Sequence, residues 1–270
     1  MDGALRITVL GSATPYPRPG NACSGYLLRG GGVRVWVDAG TGTLAELQRY
    51  VGPGELDAVW ISHLHADHCA DLLTAYYALL HADIELAAPI PLYGPPGIAD
   101  RLAGFLTNGP SRSPVESAFA VEELYDGHVG RVGSLSLLSR AVRHGGLDAF
   151  GLRVEGEGGG GGVLAYSGDS EPCAALTELA RDSDLFLCEA DGPVPGHHSP
   201  EQAGRTAAEA GAARLLVTHV GPAIAPEEAV ERAAGPFGGP VSYAEAGRTY
   251  EVTRRSRTPG RTTPSPASSR

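Results

Sequence analysis

Short β-branched and aromatic runs alternate with helix-spaced apolar stretches along most of the chain. "LRITVLG" at 5–11 reads as a strand closed by a glycine, and a proline-rich loop follows at 13–21. The stretch 24–42 reads as a glycine-closed hairpin whose second strand ends at Asp38. Residues 43–51 are amphipathic and helical, and 56–65 form a strand running into histidines. Apolar residues three and four apart predict a helix over 71–82. A short strand and turn at 89–97 and a helix at 98–108 complete the first half.

The second half repeats this style. Residues 134–146 carry a strand onto His144, and 149–170 form a hairpin with a glycine-rich tip, ending near Asp169. Helices over 173–181, 200–211 and 226–237 interleave with strands over 184–191 and 213–221, and closing strands occupy 240–252. Mixed strands with helices between them predict an α/β protein. Its polar clusters recur just past strand ends, where a rigid scaffold presents chemistry on loops.

Composition narrows the picture. The chain has 270 residues, 42% hydrophobic and 19% charged, which suits one globular domain. That domain spans 1–252. Residues 253–270 carry five arginines, no acid and many Ser, Thr and Pro, and cannot bury a core, so this tail is expected to be disordered. A net charge of −10 argues against a broad nucleic-acid or anionic-membrane footprint. The chain contains no lysine, so all 21 Lys/Arg positions are Arg. The four cysteines form no C-x-x-C pair and read as reduced, mostly buried thiols. The N-terminus has no signal-peptide pattern, and no run of 18 apolar residues marks a membrane span, so a cytoplasmic enzyme is expected.

The strongest chemical signal is "SHLHADHC" at 62–69, which puts His63, His65, Asp67 and His68 within six residues, after a strand and before a helix. A strand-end loop splays His63 and His65 toward one point, while Asp67 and His68 begin the helix and face a second. Imidazole and carboxylate suit divalent ions such as Zn²⁺, Mn²⁺ or Fe²⁺. A plain polar helix start accounts for Asp67 beside the helix dipole but leaves the histidines unexplained.

This H-x-H-x-D-H stretch resembles the metallo-β-lactamase superfamily of binuclear hydrolases, and four further places carry the resemblance. "VDAG" at 37–40 contains Asp38, "AVRHGG" at 141–146 contains His144, "YSGDS" at 166–170 contains Asp169, and "VTHVG" at 217–221 contains His219. The resemblance covers residues 5–252. It implies a single-domain, four-layer αββα sandwich. His63, His65 and His144 would hold one metal, Asp67, His68 and His219 the other, and Asp169 would bridge. Asp38 would support the metal loop. Two divalent ions are implied, Zn²⁺ first, with Mn²⁺ or Fe²⁺ as alternatives. A hydroxide between the metals is the implied nucleophile.

The opening at 5–28, with Asn21 after the proline loop, is similar to the ribonuclease Z branch, which hydrolyses phosphodiesters. "GHHSPEQAG" at 196–204 fits that branch's H-x-[ST]-x-x-x-A pattern through His197, Ser199 and Ala203. Ser199, Pro200 and Gln202 also make a good helix start. By the resemblance, His197 donates a proton or steadies the phosphate, and Glu189 of "LCEAD" orients it. Asp67, His197 and Glu189 are therefore the expected catalytic residues. His198 is expected to be exposed loop filler, Asp71 a weak outer partner of the metals, Cys69 a small buried residue, and His81 and His128 surface or core.

Transfer-RNA-cleaving members insert a long arm between the third and fourth motifs. Here His144 and Asp169 are only 25 positions apart. The expected substrate is therefore a small phosphodiester, such as a cyclic nucleotide or another cyclic phosphate. A ribonuclease Z-like endonuclease on RNA, a lactone or thioester hydrolase with the same metals, and a non-catalytic binding module are the alternatives. No membrane partner is expected, and the resemblance allows a homodimer.

Overall fold

The central strands are apolar on both faces because both faces are covered. In Val33–Ala39 (β4), Val35 and Val37 point to one core while Trp36 points to another. Gly25–Gly30 (β3) divides Leu28 and Leu27 in the same way. These faces belong to a computed structural model that describes residues 4–82, 84, 86–156 and 161–255.

The first half supplies Leu5–Ala13 (β1), Ala22–Cys23 (β2), β3, β4, Ala58–Trp60 (β5), Ile90–Gly94 (β6) and Phe119–Glu123 (β7). Helices Thr43–Leu47 (α1), Ala66–Cys69 (α2), Asp71–His81 (α3) and Ile98–Leu106 (α4) lie between them. The second half supplies Val129–Val132 (β8), Leu135–Ala141 (β9), Phe150–Gly156 (β10), Val163–Tyr166 (β11), Leu185–Ala190 (β12), Leu215–Val220 (β13), Val241–Tyr243 (β14) and Thr249–Val252 (β15). Its helices are Ala174–Leu179 (α5), Pro200–Ala210 (α6) and Pro226–Phe237 (α7).

Each half makes one sheet, except that β15 of the second half crosses over to pair with β1. The orders are β15-β1-β3-β4-β5-β6-β7, with β2 beside β1, and β14-β13-β12-β11-β10-β9-β8. Both begin as antiparallel meanders and continue as parallel strands from β4 and from β11. Parallel neighbours need helical crossovers. The helices accordingly cover the two outer faces, packing Leu72, Leu79 and Leu102 on one side and Leu176, Ala203, Ala207 and Ala233 on the other. Burying each of these leucines stabilises the fold by roughly 1.5–3 kcal/mol. Between the sheets lies a third core of Ile7, Val35, Trp60, Val154, Leu187 and Leu216. The architecture is the four-layer αββα sandwich.

Polar ties cross the sandwich. Trp60 Nε1 donates to Ser139 Oγ at 3.0 Å, and Tyr26 and Thr218 share a 2.6 Å hydroxyl contact. Such buried pairs fix how one sheet sits on the other, which matters because both sheets supply the site. Among the described residues, no helix is long and apolar enough to cross a membrane.

Several boundaries differ from the sequence expectation. β5 is only three residues long, since the chain leaves the ladder as it turns toward the histidines. β9 stops at Ala141 rather than His144, because Arg143 leaves β10 to bridge with Glu171. β7 and β8 lie outside the predicted elements. Cys23, Cys69 and Cys188 are buried thiols and Cys173 is half-buried. The expected tail lies, from residue 256 on, outside the described residues, as do 157–160 of the glycine-rich tip.

Candidate metal centre

The site forms where parallel strands end. Asp38 closes β4, the His63–His68 loop follows β5, Asp169 follows β11, Glu189 lies at the end of β12, and His219 ends β13. Open α/β sheets place ligands outside these carboxyl ends. His144 arrives from the loop after β9, and the 192–198 loop closes over the group before α6.

Two groups of donors result. His63, His65, His144 and Asp169 converge on one point, and Asp67, His68 and His219 on another. Asp169 touches both, with Oδ2 3.6 Å from His63 Nε2 and 3.3 Å from His219 Nε2, and Oδ1 3.2 Å from His68 Nε2. His197 also falls within reach of Asp169 and His219.

The second ring nitrogens set which lone pairs face inward. His63 Nδ1 donates to Ser62 Oγ (3.0 Å), His144 Nδ1 to the Gly196 carbonyl (2.9 Å) and His68 Nδ1 to Asp38 Oδ2 (2.8 Å). Each turns Nε2 toward the centre, the arrangement metal-ligating histidines use. His63 Nε2 and His144 Nε2 stand 3.1 and 3.2 Å from His65 Nδ1. Nitrogens bound at about 2.0–2.1 Å to one tetrahedral ion lie about 3.3 Å apart, so the spacing fits. Two inward atoms, His68 Nε2 and Asp169 Oδ1, are buried, face each other at 3.2 Å and have no other hydrogen-bond partner among the described residues. Converging buried lone pairs are costly unless a cation takes them. The residues present therefore fit a pair of divalent ions.

Electrostatics agrees. Burial, and then His68, hold His63 well below the ordinary histidine range, which keeps it neutral. Burial also opposes charge on His68, yet the Asp169 and Asp38 carboxylates outweigh it and hold His68 well above that range, with a proton that a divalent ion would displace. Burial opposes ionisation of Asp169, yet His219 and His68 outweigh it and hold the carboxyl well below its usual range.

Asp38 is the anchor of the loop. Fully buried, it accepts from the Ser62 amide (2.7 Å), Ser62 Oγ (2.8 Å), Tyr166 OH (2.7 Å) and His68 Nδ1. Gly40 lets the loop come close, because a Cβ there would lie 2.0 Å from the Asp67 carbonyl oxygen. Asp71 is not an outer partner of the metals. Its carboxylate accepts from the Leu44 amide (2.7 Å) and caps α1, whose own cap position, Gly42, has no side chain.

His197 and Glu189 are also adjacent. Glu189 Oε1 accepts from His197 Nδ1 at 3.0 Å and from the Ser170 amide at 2.9 Å. Burial works against charge on His197, but the Glu189, Asp169 and Asp191 carboxylates outweigh it and push its pKa up to about 9. Its ring stacks on His219, at 5.7 Å between centroids. Ser199 and Gln202 form the expected capping box at the start of α6. His198, by contrast, is not exposed filler. It is fully buried, donating from Nδ1 to the Ser170 carbonyl and meeting Thr206 Oγ1 at 3.1 Å through Nε2. His128 is buried against Glu122, and His81 is exposed.

A cavity of about 490 Å³ opens over the donors. Its polar lining includes His65, Asp67, Asp169, Asp191, His197 and His219, and its apolar wall is Pro15, Pro193, Val194, Pro222 and Ile224. No arginine of the described residues lines it. These wall residues lie outside the five motifs. The recurrent Gly-Pro steps at 192–193 and 221–222, each just after a motif strand, were the available signal.

Comparison with known proteins agrees with this geometry. The family described as "Beta-lactamase superfamily domain" matches residues 33–220. An uncharacterized protein of Mycobacterium leprae is 37% identical, over 92% of this chain and 89% of that one. A protein of Mycolicibacterium paratuberculosis named ribonuclease Z is 30% identical, over 82% and 87%. The crystal structure of the metallo-β-lactamase fold protein YhfI from Bacillus subtilis superposes with a TM-score of 0.79 at 25% identity, covering 93% of this chain and all of that one. The short form of human tRNase Z gives 0.71 at 21%, covering 92% and 99%, and a diphosphatase of the PhnP family 0.69 at 20%, covering 94% and 100%. With its His/Asp donor clusters and its fold both in place, the chain belongs to the metallo-β-lactamase superfamily of metal-dependent hydrolases and is related to proteins named ribonuclease Z.

Proposed function

We propose that the protein is a phosphodiesterase acting on a small diester, such as a cyclic nucleotide or another cyclic phosphate. His63, His65 and His144 would hold one divalent metal, Asp67, His68 and His219 a second, and Asp169 would be shared; zinc is the expected ion. Bound there, the metal pair would supply a hydroxide near neutral pH and draw charge from the phosphoryl oxygen.

The observation that carries the reading is the His197–Glu189 pair. A carboxyl ester gives the metals an electrophile they can serve alone. A phosphodiester with an alkoxide leaving group needs a proton donor. Glu189 holds the proton on His197 Nδ1, and a pKa near 9 keeps Nε2 protonated at neutral pH. From the cavity wall, Nε2 would protonate the departing oxygen.

The size of the substrate follows from what surrounds that donor. The cavity lies within the roughly 300–1,000 Å³ usual for small ligands. Its wall is apolar, Asp191 stands beside His197, and no arginine of the described residues lines the cavity itself; Arg143, in the adjoining groove that His197 also lines, is paired with Glu171. The connection between β10 and β11, where transfer-RNA-cleaving members carry their arm, spans only residues 157–162. The relatives named ribonuclease Z favour a second reading, cleavage of a transfer-RNA 3′ end, which the same donors could serve.

Comparing His197→Ala on a cyclic nucleotide and on a lactone tests the assignment. The diester rate is expected to fall about 100-fold or more, and the lactone rate far less. Loss confined to the lactone would overturn it.

A further inference from the structure

His198 sits in a connecting loop, next to a half-buried histidine that lines the cavity, yet none of its own surface reaches solvent. Its bonds fix its chemical form. The Ser170 carbonyl can only accept, so the proton lies on Nδ1. Nε2 then carries a lone pair and accepts the Thr206 hydroxyl of α6. The ring is neutral with both nitrogens used, and burial keeps it so by pushing its pKa down to about 4.

Where those bonds go matters more than their number. Ser170 follows Asp169, the carboxylate that touches both donor groups. Its amide donates to Glu189 Oε1, the same oxygen that takes the His197 proton, while its carbonyl takes the His198 proton. Ser170, Glu189, His197 and His198 thus form a closed circuit. The loop is also tied to the donors at Gly196, whose carbonyl accepts from His144 Nδ1; a Cβ at Gly196 would crowd that nitrogen at 3.3 Å. A leucine would fill the volume of His198 with less desolvation, but it would leave the Ser170 carbonyl and the Thr206 hydroxyl without partners.

We propose that His198 is a positioning residue, a neutral crossbar that locks the His197 loop to the Asp169 turn and so sets the proton donor against the metal site. It touches no substrate. The proposal rests on the reading of His197 as the donor to the leaving group.

Two variants separate this role from simple packing. His198→Leu keeps the volume and removes both bonds. His198→Asn places an amide nitrogen near the position of Nδ1 and keeps the bond to Ser170. In the full-length, metal-loaded protein, H198L is expected to lower kcat on a cyclic nucleotide by about 10–100-fold, with KM changed less than about twofold, while H198N recovers most of the rate. In a His197→Ala background the same H198L change should alter kcat less than about threefold, since the crossbar acts through His197. A packing defect would instead lower both backgrounds alike and leave H198N no better than H198L. The His197 Nδ1–H proton resonance gives a readout independent of activity. It should be visible in the wild type and in H198N and lost to exchange in H198L. If the wild type cleaves no phosphodiester, the functional reading fails and this resonance alone decides the crossbar. An unchanged resonance in H198L, or a kcat within twofold of wild type, overturns it. Should H198L not fold, Thr206→Val, which cuts one arm, takes its place with the same expected directions.

Discussion

The loop after β5 and the loop before α6 both deliver histidines to the same cavity, by opposite means. The first carries its donors in a dense cluster and takes its rigidity from Asp38, which binds four protein donors at once. The second carries two adjacent histidines that are alike in sequence and opposed in structure. His197 reaches the cavity and is pushed up to about 9, while His198 turns inward and is pushed down to about 4. Metal ligation selects residue types and spacing, so it leaves a mark in the sequence. The protonation of a histidine is set by its partners, and those partners come from distant strands.

The largest break in this comparison removes the carboxylate that both groups share. Asp169→Ala is expected to cost more than the roughly 100-fold typical of outer-shell changes, in activity and in metal affinity together. Metal analysis of the purified variant checks it. His197→Gln should then separate the loops: kcat on an alkyl diester falls about 10²–10⁴-fold while metal content stays at the wild-type level. The wild-type rate should also decline as pH rises through about 9, where His197 loses its proton, and the variant should lack that limb. Asp38→Asn sharpens the first loop alone. It weakens the hold on His68 and should lower metal affinity about 10–100-fold in a chelator competition.

The smallest effect is on stability. The folded pKa of His198 lies below its unfolded value near 6.5, so the unfolded chain takes up a proton that the fold refuses. Stability is therefore full above about pH 6.5 and is lost as pH falls toward 4. Between pH 7 and pH 5 the loss from this group is about 2 kcal/mol, and denaturant titration of H198N should show a correspondingly flatter profile.

Much of this arrangement was legible in the sequence. The elements around the five motifs were readable because buried parallel strands and amphipathic helices leave strong periodic patterns, and Ser199, Pro200 and Gln202 marked the start of α6 from local chemistry alone. The rest depends on contacts across the fold. Tyr166 lies 128 positions from the Asp38 it supports, and His198 lies 28 from Ser170. Asp71 shows the same limit from the other side. Its place just after the histidine cluster suggested a link to the metals, but the helix bearing it turns the carboxylate toward α1. β7 and β8 escaped notice because they are short and carry polar residues on an exposed face.

Hydrolysis rates on two substrates, a cyclic nucleotide and a precursor transfer RNA, test the central claim most directly. The protein is stripped with a chelator and reloaded with zinc or manganese before each is measured. The account predicts no activity in the stripped protein, recovery with two metals per chain, and faster cleavage of the cyclic nucleotide. Transfer RNA cleaved faster than the small diester, or full activity without metal, would contradict it.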